Sequence, residues 1–332
     1  MNPPRSIVLL PEDLARRVYD AKTLVEIFRT TRCAGFVASP DVPLRQDALA
    51  DVEVAFTGWG CGPIDASVLD ALPGLRAIFY AGGTVKSWAG DAVWERGITV
   101  ANAAAANAIP VAEYTVGAIL FSLKCGWHYI GRHQRERRYP WPPIAAPGGA
   151  GVTIGIHSLG LIGRLVCERL RPFGFAVLAC DPLATAEDAA ALGVELVPLS
   201  ELFARSAIVS LHAPLLPETE GIITGQLVAS LPHHGTLINT ARGGLLREQE
   251  VAAVLAHRTD LSAVLDVLGE EPPRPGNPLV ALPNVFLTPH IAGAIGAESW
   301  RLGRLMLEEF QRWRDGQPLH GEVRREQLIK LA

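Results

Sequence analysis

The sequence lacks the cysteine spacing of a disulfide framework or of a zinc site. Its five cysteines are an odd number, and no two of them stand at a paired spacing. Cys167 and Cys180 lie in apolar sequence surroundings, which is typical of inert thiols in a protein core. We therefore expect no disulfide, no metal site and a reducing compartment, for which the cytoplasm is the simplest assignment.

Strong net charge and long apolar runs are also missing. The formal net charge is −4 over 332 residues, which gives no bulk attraction to nucleic acid or to an anionic membrane. The best apolar run, Val116–Leu123, is cut by Lys124 and falls short of the ~18 residues that span a membrane. The N-terminal run Ile7–Leu10 is too short for a signal peptide. The sequence therefore predicts no nucleic-acid partner and no membrane partner.

Short apolar runs alternate with helical stretches along the chain, and its length predicts two domains. The runs are apolar throughout rather than alternating, which indicates strands covered by helices on both faces. This pattern is typical of parallel sheets and predicts the α/β class. The predicted strands are Ile7–Leu10, Val52–Thr57, Ala77–Tyr80, Ile98–Ala101, Thr153–His157, Ala176–Cys180, Ala207–Leu211, Thr236–Asn239, Ala263–Val267 and Val285–Leu287.

Two helices are predicted to connect the domains. Asn107 is expected to cap the first, with Pro110 in its first turn, and this helix continues through Ala112–Leu123. The last long helix, roughly Ala297–Trp313, would return the chain to the first domain. A cleft between the domains would bind a small ligand. The predicted domains are residues 1–106 plus 300–332 and residues 107–299.

The segment VTIGIHSLGLIG combines a strand, a tight turn and the start of a helix. Gly160 would let the backbone approach a pyrophosphate, Gly163 would let helix and strand pack closely, and the free N–H groups of the helix would hold the phosphates. Ser158 stands where the first glycine of such a turn is usual. Asp181, at the end of the next strand, would accept hydrogen bonds from a ribose 2′-hydroxyl and repel a 2′-phosphate, which predicts NAD rather than NADP.

The same turn permits a second interpretation, because the segment IHSLG at 156–160 is close to the nucleophile turn of α/β-hydrolases. Asp266 and His290 follow Ser158 in the order that those enzymes use. Ile156, however, occupies a position where the strained turn needs glycine. The hydrolase interpretation also leaves the acidic residue after the next strand without a role, so the dinucleotide turn is preferred.

Three residues close stretches that resemble buried strands: Arg242 in TLINTARGG, Glu271 in SAVLDVLGEEP and His290 in VFLTPHIAGA. Arg242 would clamp the carboxylate and carbonyl oxygens of a 2-oxo acid with its planar fork. His290 would exchange the proton, because histidine titrates near neutrality. Glu271 would bind the other imidazole nitrogen and fix the tautomer. The trio predicts hydride transfer on a 2-oxo or 2-hydroxy acid.

Two further strand ends carry candidate residues. His212, in SLHAP, competes with His290, and we expect it to pack near the cofactor instead. Gly82 and Gly83, in YAGGT, could present backbone N–H groups to a substrate carboxylate. A plain tight turn is the equally supported alternative for these two glycines.

These motifs resemble the NAD-dependent D-isomer-specific 2-hydroxyacid dehydrogenases over nearly the whole chain. The resemblance is carried by AGG at 81–83, NAIPVAEYTVG at 107–117, SLGLIG to DP at 158–182, SLHAPLLPET at 210–219, INTARGG at 238–244, LDVLGEEP at 265–272 and LTPHIAG at 287–293. It implies two doubly wound parallel-sheet domains, a flavodoxin-like substrate-binding domain and a Rossmann NAD-binding domain, with a cleft between them. A homodimer is implied as well.

The resemblance also assigns roles to residues. Arg242, Glu271 and His290 fall on the catalytic residues of the family, and Gly82 and Gly83 lie in its substrate-carboxylate loop. Cofactor contacts are implied at Ser158, Leu159, Gly160, Leu161, Ile162, Gly163, Asp181, His212, Pro214, Thr219, Thr240, Ala241, Asp266 and His290.

The sequence departs from the family pattern at two places. Ser158 replaces the first glycine of the dinucleotide turn, and Ala104-Ala105 replace the Pro-Gly that is usual after Asn102. The residues and the resemblance together predict NAD(H)-dependent interconversion of a small 2-oxo acid and a D-2-hydroxy acid. The alternative is an NAD-sensing binding protein of the same fold. The intact trio favours catalysis, since a sensor has less need of all three side chains.

Overall fold

The computed structural model describes residues 2–37, 49–141, 144 and 146–328. The chain divides into two compact units, of which the first comprises Met1–Asn107 with Ala294–Leu331 and the second comprises Ala108–Gly293. The first unit thus ends at 107 and resumes at 294, where the sequence predicts 106 and 300. Residues 329–332 of the predicted first domain lie outside the described residues.

The elements follow the chain in an alternating order of strands and helices. The strands are β1 (Arg5–Val8), β2 (Arg32–Phe36), β3 (Val54–Gly58), β4 (Ala77–Ala81), β5 (Thr99–Asn102), β6 (Thr153–His157), β7 (Ala176–Cys180), β8 (Glu195–Leu196), β9 (Ile208–Leu211), β10 (Thr236–Asn239), β11 (Ser262–Leu265), β12 (Val285–Leu287) and β13 (Glu322–Val323). The α-helices are α1 (Glu12–Val18), α2 (Ala21–Thr30), α3 (Ala66–Asp70), α4 (Asp91–Glu95), α5 (Ala104–Ser122), α6 (Gly126–Glu136), α7 (Leu161–Leu170), α8 (Ala186–Leu192), α9 (Leu199–Arg205), α10 (Gly225–Ala229), α11 (Glu248–His257) and α12 (Trp300–Arg314).

Each unit contains one sheet. In the first unit the strand order is β2-β1-β3-β4-β5-β13, and in the second it is β8-β7-β6-β9-β10-β11-β12. The strands are parallel except for β13, which is antiparallel to β5. In both sheets the chain starts in the interior and winds outward to each side, which is the doubly wound arrangement. The predicted α/β class with two doubly wound parallel sheets is therefore confirmed.

The core of the first unit explains why its central strands form. Every residue of β3 and β4 is buried, as expected for strands with helices on both faces. Phe56 and Phe79 from these strands pack with Phe310 of α12, and their ring centroids lie 5.4 to 5.8 Å apart. The last long helix is thus fixed to the first sheet by aromatic contacts.

The sequence does not predict three of the strands in the described part of the chain, and each of them lies at the edge of its sheet. The two-residue strands β8 and β13 are too short to give a sequence pattern. The residues of β2 are exposed or half-buried, because this strand has only one neighbour, β1. The apolar signal of a buried strand is therefore missing at these positions.

The predicted cap of the first connecting helix is wrong. Helix α5 begins at Ala104, and the Ala104 N–H donates to Asn102 Oδ1 at 3.2 Å. Asn107 lies inside the helix, where its Oδ1 accepts the Ala294 N–H at 2.9 Å, and Pro110 is also internal. The alanines before Asn107 are strong helix formers and extend the helix by one turn toward the N-terminus.

Helix α5 is also long and apolar enough to cross a membrane, by length and composition alone. Of its most apolar window, 44% is buried inside the protein. Ala112 and Ile119 belong to the core of the second unit. A helix of this composition is equally typical of a protein interior.

Candidate active site

The three predicted catalytic residues follow neighbouring parallel strands of the second unit. Arg242 comes after β10, Glu271 after β11 and His290 after β12, and these strands are adjacent in the sheet. The carboxyl ends of parallel strands meet at one side of a sheet, where α/β proteins bind their ligands. The topology therefore brings the three segments to a common side.

Glu271 and His290 form a hydrogen-bonded pair. The Nδ1 atom of His290 lies 2.7 Å from Oε2 of Glu271, and Oε1 of the same carboxylate accepts the Leu268 N–H at 3.0 Å. The carboxylate can only accept when ionised, so Nδ1 carries the proton. Both side chains are partly exposed, at 54% and 38%. The other nitrogen, Nε2, has no hydrogen-bond partner among the described residues and can serve a ligand as acceptor or donor.

Asp266 holds the turn that carries His290. This aspartate is 2% exposed, and its carboxylate accepts the Thr288 hydroxyl at 2.6 Å and the N–H groups of Ile291 and Ala292 at 2.8 Å each. Its backbone oxygen accepts the His290 N–H at 2.9 Å. His290 itself is in the left-handed region, with φ 56°, a conformation that persists only where the surroundings fix it.

Arg242 is half-buried beside the pair. Its Nη1 donates to the Ala241 oxygen at 2.6 Å, and Asn239 holds the loop by donating to the Arg242 oxygen at 2.8 Å and accepting the Ala241 N–H at 3.0 Å. Burial lowers the pKa of the guanidinium, and the negative charge of Glu271 opposes that change. An arginine stays protonated through such a change, so the site keeps a cation for an anionic ligand.

A glycine makes this arrangement possible. A Cβ atom built on Gly243 would lie 1.8 Å from the carbonyl carbon of Leu268. The loop after Arg242 therefore packs directly against the backbone of the segment that leads to Glu271. A side chain at 243 would separate the two loops.

The dinucleotide turn has the expected local form. A Cβ atom on Gly163 would lie 2.0 Å from the Ser158 oxygen, whereas a Cβ on Gly160 would meet only Ser158 Oγ, at 3.8 Å. Gly160 is the N-cap of α7 and offers no side-chain cap. The first N–H groups of α7 are therefore left for a ligand, and the open space at Gly160 fits a pyrophosphate.

Asp181 follows β7 and is tied to the turn. Its Oδ2 accepts the Ser158 hydroxyl at 3.1 Å and the Leu159 N–H at 2.6 Å, and its Oδ1 accepts the Leu183 N–H at 2.8 Å. Ser158 has φ 79°, in the left-handed region that favours glycine. The first fingerprint glycine is thus replaced by a residue that keeps the conformation of glycine and adds a hydroxyl.

A cavity of about 550 Å³ opens beside this turn, at the carboxyl ends of β6, β7 and β9. Its lining includes His157, Asp181, Leu183, Pro214 and Thr219. It is mainly apolar with a few polar groups, which is typical of small-molecule sites. Its size and its position at the carboxyl ends of the strands fit part of a dinucleotide.

Two buried histidines lie at the ends of β6 and β9, and the first of them lines the cavity. His157 and His212 are 5% and 8% exposed, and Nδ1 of each has no hydrogen-bond partner among the described residues. His212 Nε2 lies 3.0 Å from Ser210 Oγ. Burial lowers the pKa of His157 to about 4, although the negative charge of Asp181 opposes this change. Burial, together with the neighbouring His157, lowers the pKa of His212 to about 3. Both are neutral at pH 7. Sequence reasoning missed His157, although a polar residue that ends an apolar strand just before the turn was a signal.

The remaining predicted cofactor residues occupy varied positions in the second unit. Thr240 is buried and its hydroxyl lies 3.1 Å from that of Thr115. The Thr219 hydroxyl donates to the Pro214 oxygen at 2.6 Å. Leu159 and Ala241 are buried, Leu161 is 50% exposed, and Ile162 is partly buried in the core around α7.

Gly82 and Gly83 form a tight turn after β4 in the first unit. The Gly82 N–H donates to the Tyr80 oxygen at 2.8 Å, and the Gly83 oxygen accepts from Asn102 Nδ2 at 2.8 Å. A Cβ on Gly82 would lie 2.5 Å from the Tyr80 ring, whereas Gly83 has open space up to Asn107 Nδ2 at 3.8 Å. The first glycine therefore serves packing, and the second leaves room for a ligand.

The geometry does not assemble the hydrolase alternative. A nucleophilic serine must hydrogen-bond a histidine that is oriented by an acid. The Ser158 hydroxyl instead donates to Asp181, and His290 is oriented by Glu271 rather than by Asp266. In the described part of the chain, no group of three or more His, Cys, Asp or Glu residues could hold a metal ion.

Comparisons with known proteins identify the family of the chain. Residues 118–292 match the model of the D-isomer specific 2-hydroxyacid dehydrogenase, NAD binding domain. A D-3-phosphoglycerate dehydrogenase of Mycobacterium tuberculosis is 35% identical over 75% of this chain and 47% of that protein. An (S)-sulfolactate dehydrogenase of Chromohalobacter salexigens is 33% identical over 75% of this chain and 81% of that protein.

A solved structure shares the fold. The holo form of the D-mandelate dehydrogenase of Rhodotorula graminis aligns with a TM-score of 0.79 and 24% identity, covering 97% of this chain and 98% of that one. The chain spans about half the length of the phosphoglycerate dehydrogenases that it matches, 47% to 49% of them. The predicted family and the predicted fold, including the Rossmann NAD-binding domain, are thereby confirmed.

Two glycine substitutions should separate folding from nucleotide binding. Gly163→Ala should lower the free energy of unfolding by at least about 2 kcal/mol, because its Cβ would overlap backbone. Gly160→Ala should cost less than about 1 kcal/mol, yet weaken NADH binding at least about 10-fold by filling the pyrophosphate space. Urea unfolding and NADH fluorescence titration test both. Equal loss of stability in the two variants would contradict the assignment of Gly163 to packing and of Gly160 to nucleotide binding.

The buried histidines should make stability depend on pH. Their pKa values in the folded state, about 4 and 3, lie below the unfolded value of about 6.5. The unfolded chain therefore binds more protons at acidic pH, and stability is lost as pH falls below about 6.5, by up to about 1.4 kcal/mol per pH unit for each histidine. Urea unfolding at several pH values between 7.5 and 5 gives the free energy of unfolding as a function of pH. This free energy should change less steeply with pH in His157→Gln than in the control variant His257→Gln, which alters an exposed histidine. Identical slopes would rule out a buried neutral His157.

Proposed function

Because the chain belongs to the D-isomer specific 2-hydroxyacid dehydrogenases, we propose that it interconverts a small 2-oxo acid and a D-2-hydroxy acid with NAD(H). The observation that carries this proposal is the contact of 2.7 Å between His290 Nδ1 and Glu271 Oε2. It leaves Nε2 as the one imidazole nitrogen for proton exchange, on a turn that is held rigid by a buried carboxylate.

The proton step follows from the pair. In the reducing direction, His290 as imidazolium donates its Nε2 proton to the carbonyl oxygen of the substrate, and the charge of Glu271 stabilises the imidazolium beforehand. In the oxidising direction, neutral Nε2 takes the proton of the substrate hydroxyl. The nicotinamide ring, when bound, supplies or accepts the hydride. Glu271 keeps the imidazole in one orientation through its bond to Nδ1.

Arg242 binds and polarises the substrate in this proposal. Its planar guanidinium can face a carboxylate and the adjacent carbonyl oxygen at the same time. Among the described residues, the guanidinium donates only through Nη1, to the Ala241 oxygen, which leaves further N–H donors for the substrate. Partial burial strengthens the attraction, since the site is less screened by water. Gly83 is proposed to add backbone contacts to the substrate carboxylate.

NAD is proposed over NADP. The first turn of α7 and the space at Gly160 would hold the pyrophosphate. Asp181 would bind the ribose hydroxyls and repel a 2′-phosphate. The cavity of about 550 Å³ beside it would take the adenosine part. His212 would pack near the cofactor, and Asp266 would hold the turn that carries His290.

A cytoplasmic location and a homodimer complete the proposal. The five cysteines are free, which supports a reducing compartment. The homodimer rests on the family resemblance. An NAD-sensing binding protein is the alternative activity, and it would bind NADH without reducing any 2-oxo acid. No observation of the site favours it over catalysis.

The test is NADH oxidation by the purified chain over a panel of 2-oxo acids from glyoxylate and hydroxypyruvate to phenylpyruvate. We expect turnover on at least one acid. In His290→Ala, kcat should fall about 10²- to 10⁴-fold because the proton donor is lost, and in Glu271→Gln it should fall at least about 10-fold. His257→Ala, which removes an exposed histidine of α11, should keep full activity.

The outcomes separate the alternatives. Binding of NADH without turnover on any acid would support the sensor. Turnover that survives in His290→Ala would remove this histidine from the proton step. A rise in KM without a change in kcat in Glu271→Gln would show that the glutamate only contributes to binding.

A further inference from the structure

Ser158 occupies a backbone position made for glycine. Its φ is 79°, and its N–H donates to the Cys180 oxygen at 2.8 Å, which continues the pairing of β6 with β7. A side chain in the left-handed region is disfavoured for any residue other than glycine. A serine that persists there needs a compensating interaction, and its hydroxyl is the only polar group that it adds.

The hydroxyl completes a clamp around the Asp181 carboxylate. Oδ2 of Asp181 receives two donors, the Ser158 hydroxyl at 3.1 Å and the Leu159 N–H at 2.6 Å. Oδ1 receives the Leu183 N–H at 2.8 Å. The carboxylate is thus held from the turn on one side and from its own loop on the other. Rotation about its side-chain bonds would break at least one charge-assisted hydrogen bond.

The cation at the start of α7 is already engaged by other partners. Arg164, in the first turn of α7, donates through Nε to the Leu159 oxygen at 2.8 Å and through Nη2 to Asp188 at 2.9 Å. Its guanidinium is therefore directed to a neighbouring acid and to the backbone. A 2′-phosphate brought beside Asp181 would meet a fixed carboxylate and an arginine that is already paired.

We propose that Ser158 is a specificity-determining residue: its hydroxyl locks the Asp181 carboxylate in place and so makes the site select a dinucleotide with a free ribose 2′-hydroxyl over one with a 2′-phosphate. This inference rests on the proposed NAD(H)-dependent function. Oδ1 accepts one hydrogen bond from the part of the chain that the structure describes, and it keeps lone pairs for the ribose hydroxyl. Without the Ser158 hydroxyl, Oδ2 loses one of its two donors, so the carboxylate can turn aside more readily and admit the phosphate.

The test measures binding rather than turnover. NADH and NADPH are titrated by fluorescence against the full chain and against Ser158→Ala, Ser158→Gly, Asp181→Asn and the double variant Ser158→Ala/Asp181→Asn. The quantity compared is the ratio of the NADPH Kd to the NADH Kd. We expect Ser158→Ala to lower this ratio about 10-fold and Asp181→Asn to bring it close to that of a site without preference. The double variant should have the same ratio as Asp181→Asn, because Ser158 acts through Asp181.

The glycine variant separates the hydroxyl from the backbone. Ser158→Gly relieves the left-handed conformation, so its Tm should rise relative to Ser158→Ala. Its nucleotide ratio should nevertheless fall as in the alanine variant, since both lack the hydroxyl. This variant keeps the test decisive if Ser158→Ala folds poorly.

Two results would overturn the inference while leaving the proposed function intact. The first is an unchanged ratio in Ser158→Gly and Ser158→Ala alongside a collapse in Asp181→Asn. The second is a further 10-fold change when Ser158→Ala is added to Asp181→Asn, which would mean that the serine acts independently. Wild-type protein that binds neither nucleotide would instead overturn the proposed function, and the inference with it.

Discussion

The buried carboxylate of Asp266 is the interaction on which the rest of the candidate site depends. It takes three donors from the segment Thr288–Ala292 and leaves no oxygen without a partner. Each hydrogen bond to a charged group is worth roughly 1.5–3 kcal/mol, enough to hold His290 in a left-handed conformation that L-residues avoid. Once that turn is fixed, the imidazole meets Glu271, and the pair can face a ligand without rearrangement. Preorganisation of this kind distinguishes His290 from a histidine whose ring is free to reorient in solvent.

Close backbone packing supplies the second constraint. Gly243 and Gly163 both stand where a single added carbon would overlap a neighbouring backbone carbonyl. The first brings the Arg242 loop onto the Leu268 backbone, and the second brings α7 onto the turn after β6. In both cases glycine is required by distance rather than by backbone angle, since neither residue has a positive φ. The Arg242 loop and the turn after β6 are therefore both positioned by the absence of a side chain.

Much of this arrangement could be predicted from the sequence, because strands that are buried on both faces consist of consecutive apolar residues. The runs before Arg242 and His290 marked the strand ends, and parallel topology then implied convergence. The edge strand Arg32–Phe36 had no such signal, since its residues are exposed or half-buried. The predicted start of α5 is wrong because asparagine is a common capping residue and the sequence therefore favours Asn107 as the cap. The first N–H of the helix is instead bound by the side chain of Asn102. The contact of Ser158 with Asp181 joins residues from two strands, and no local pattern reports which side chains meet across a sheet.

The acid–base pair, its supporting aspartate and the arginine all lie between residues 108 and 293, whereas the Gly82–Gly83 turn belongs to the other unit. In the proposed function, the proton step therefore depends on one stretch of the sequence, and part of the substrate contacts depends on another. Substitutions near the Gly82–Gly83 turn could then change which acid binds while the proposed proton donor and its tautomer stay the same. Under that proposal, related proteins could diversify their substrates through changes in one unit, and the residues proposed for the proton step would be inherited unchanged.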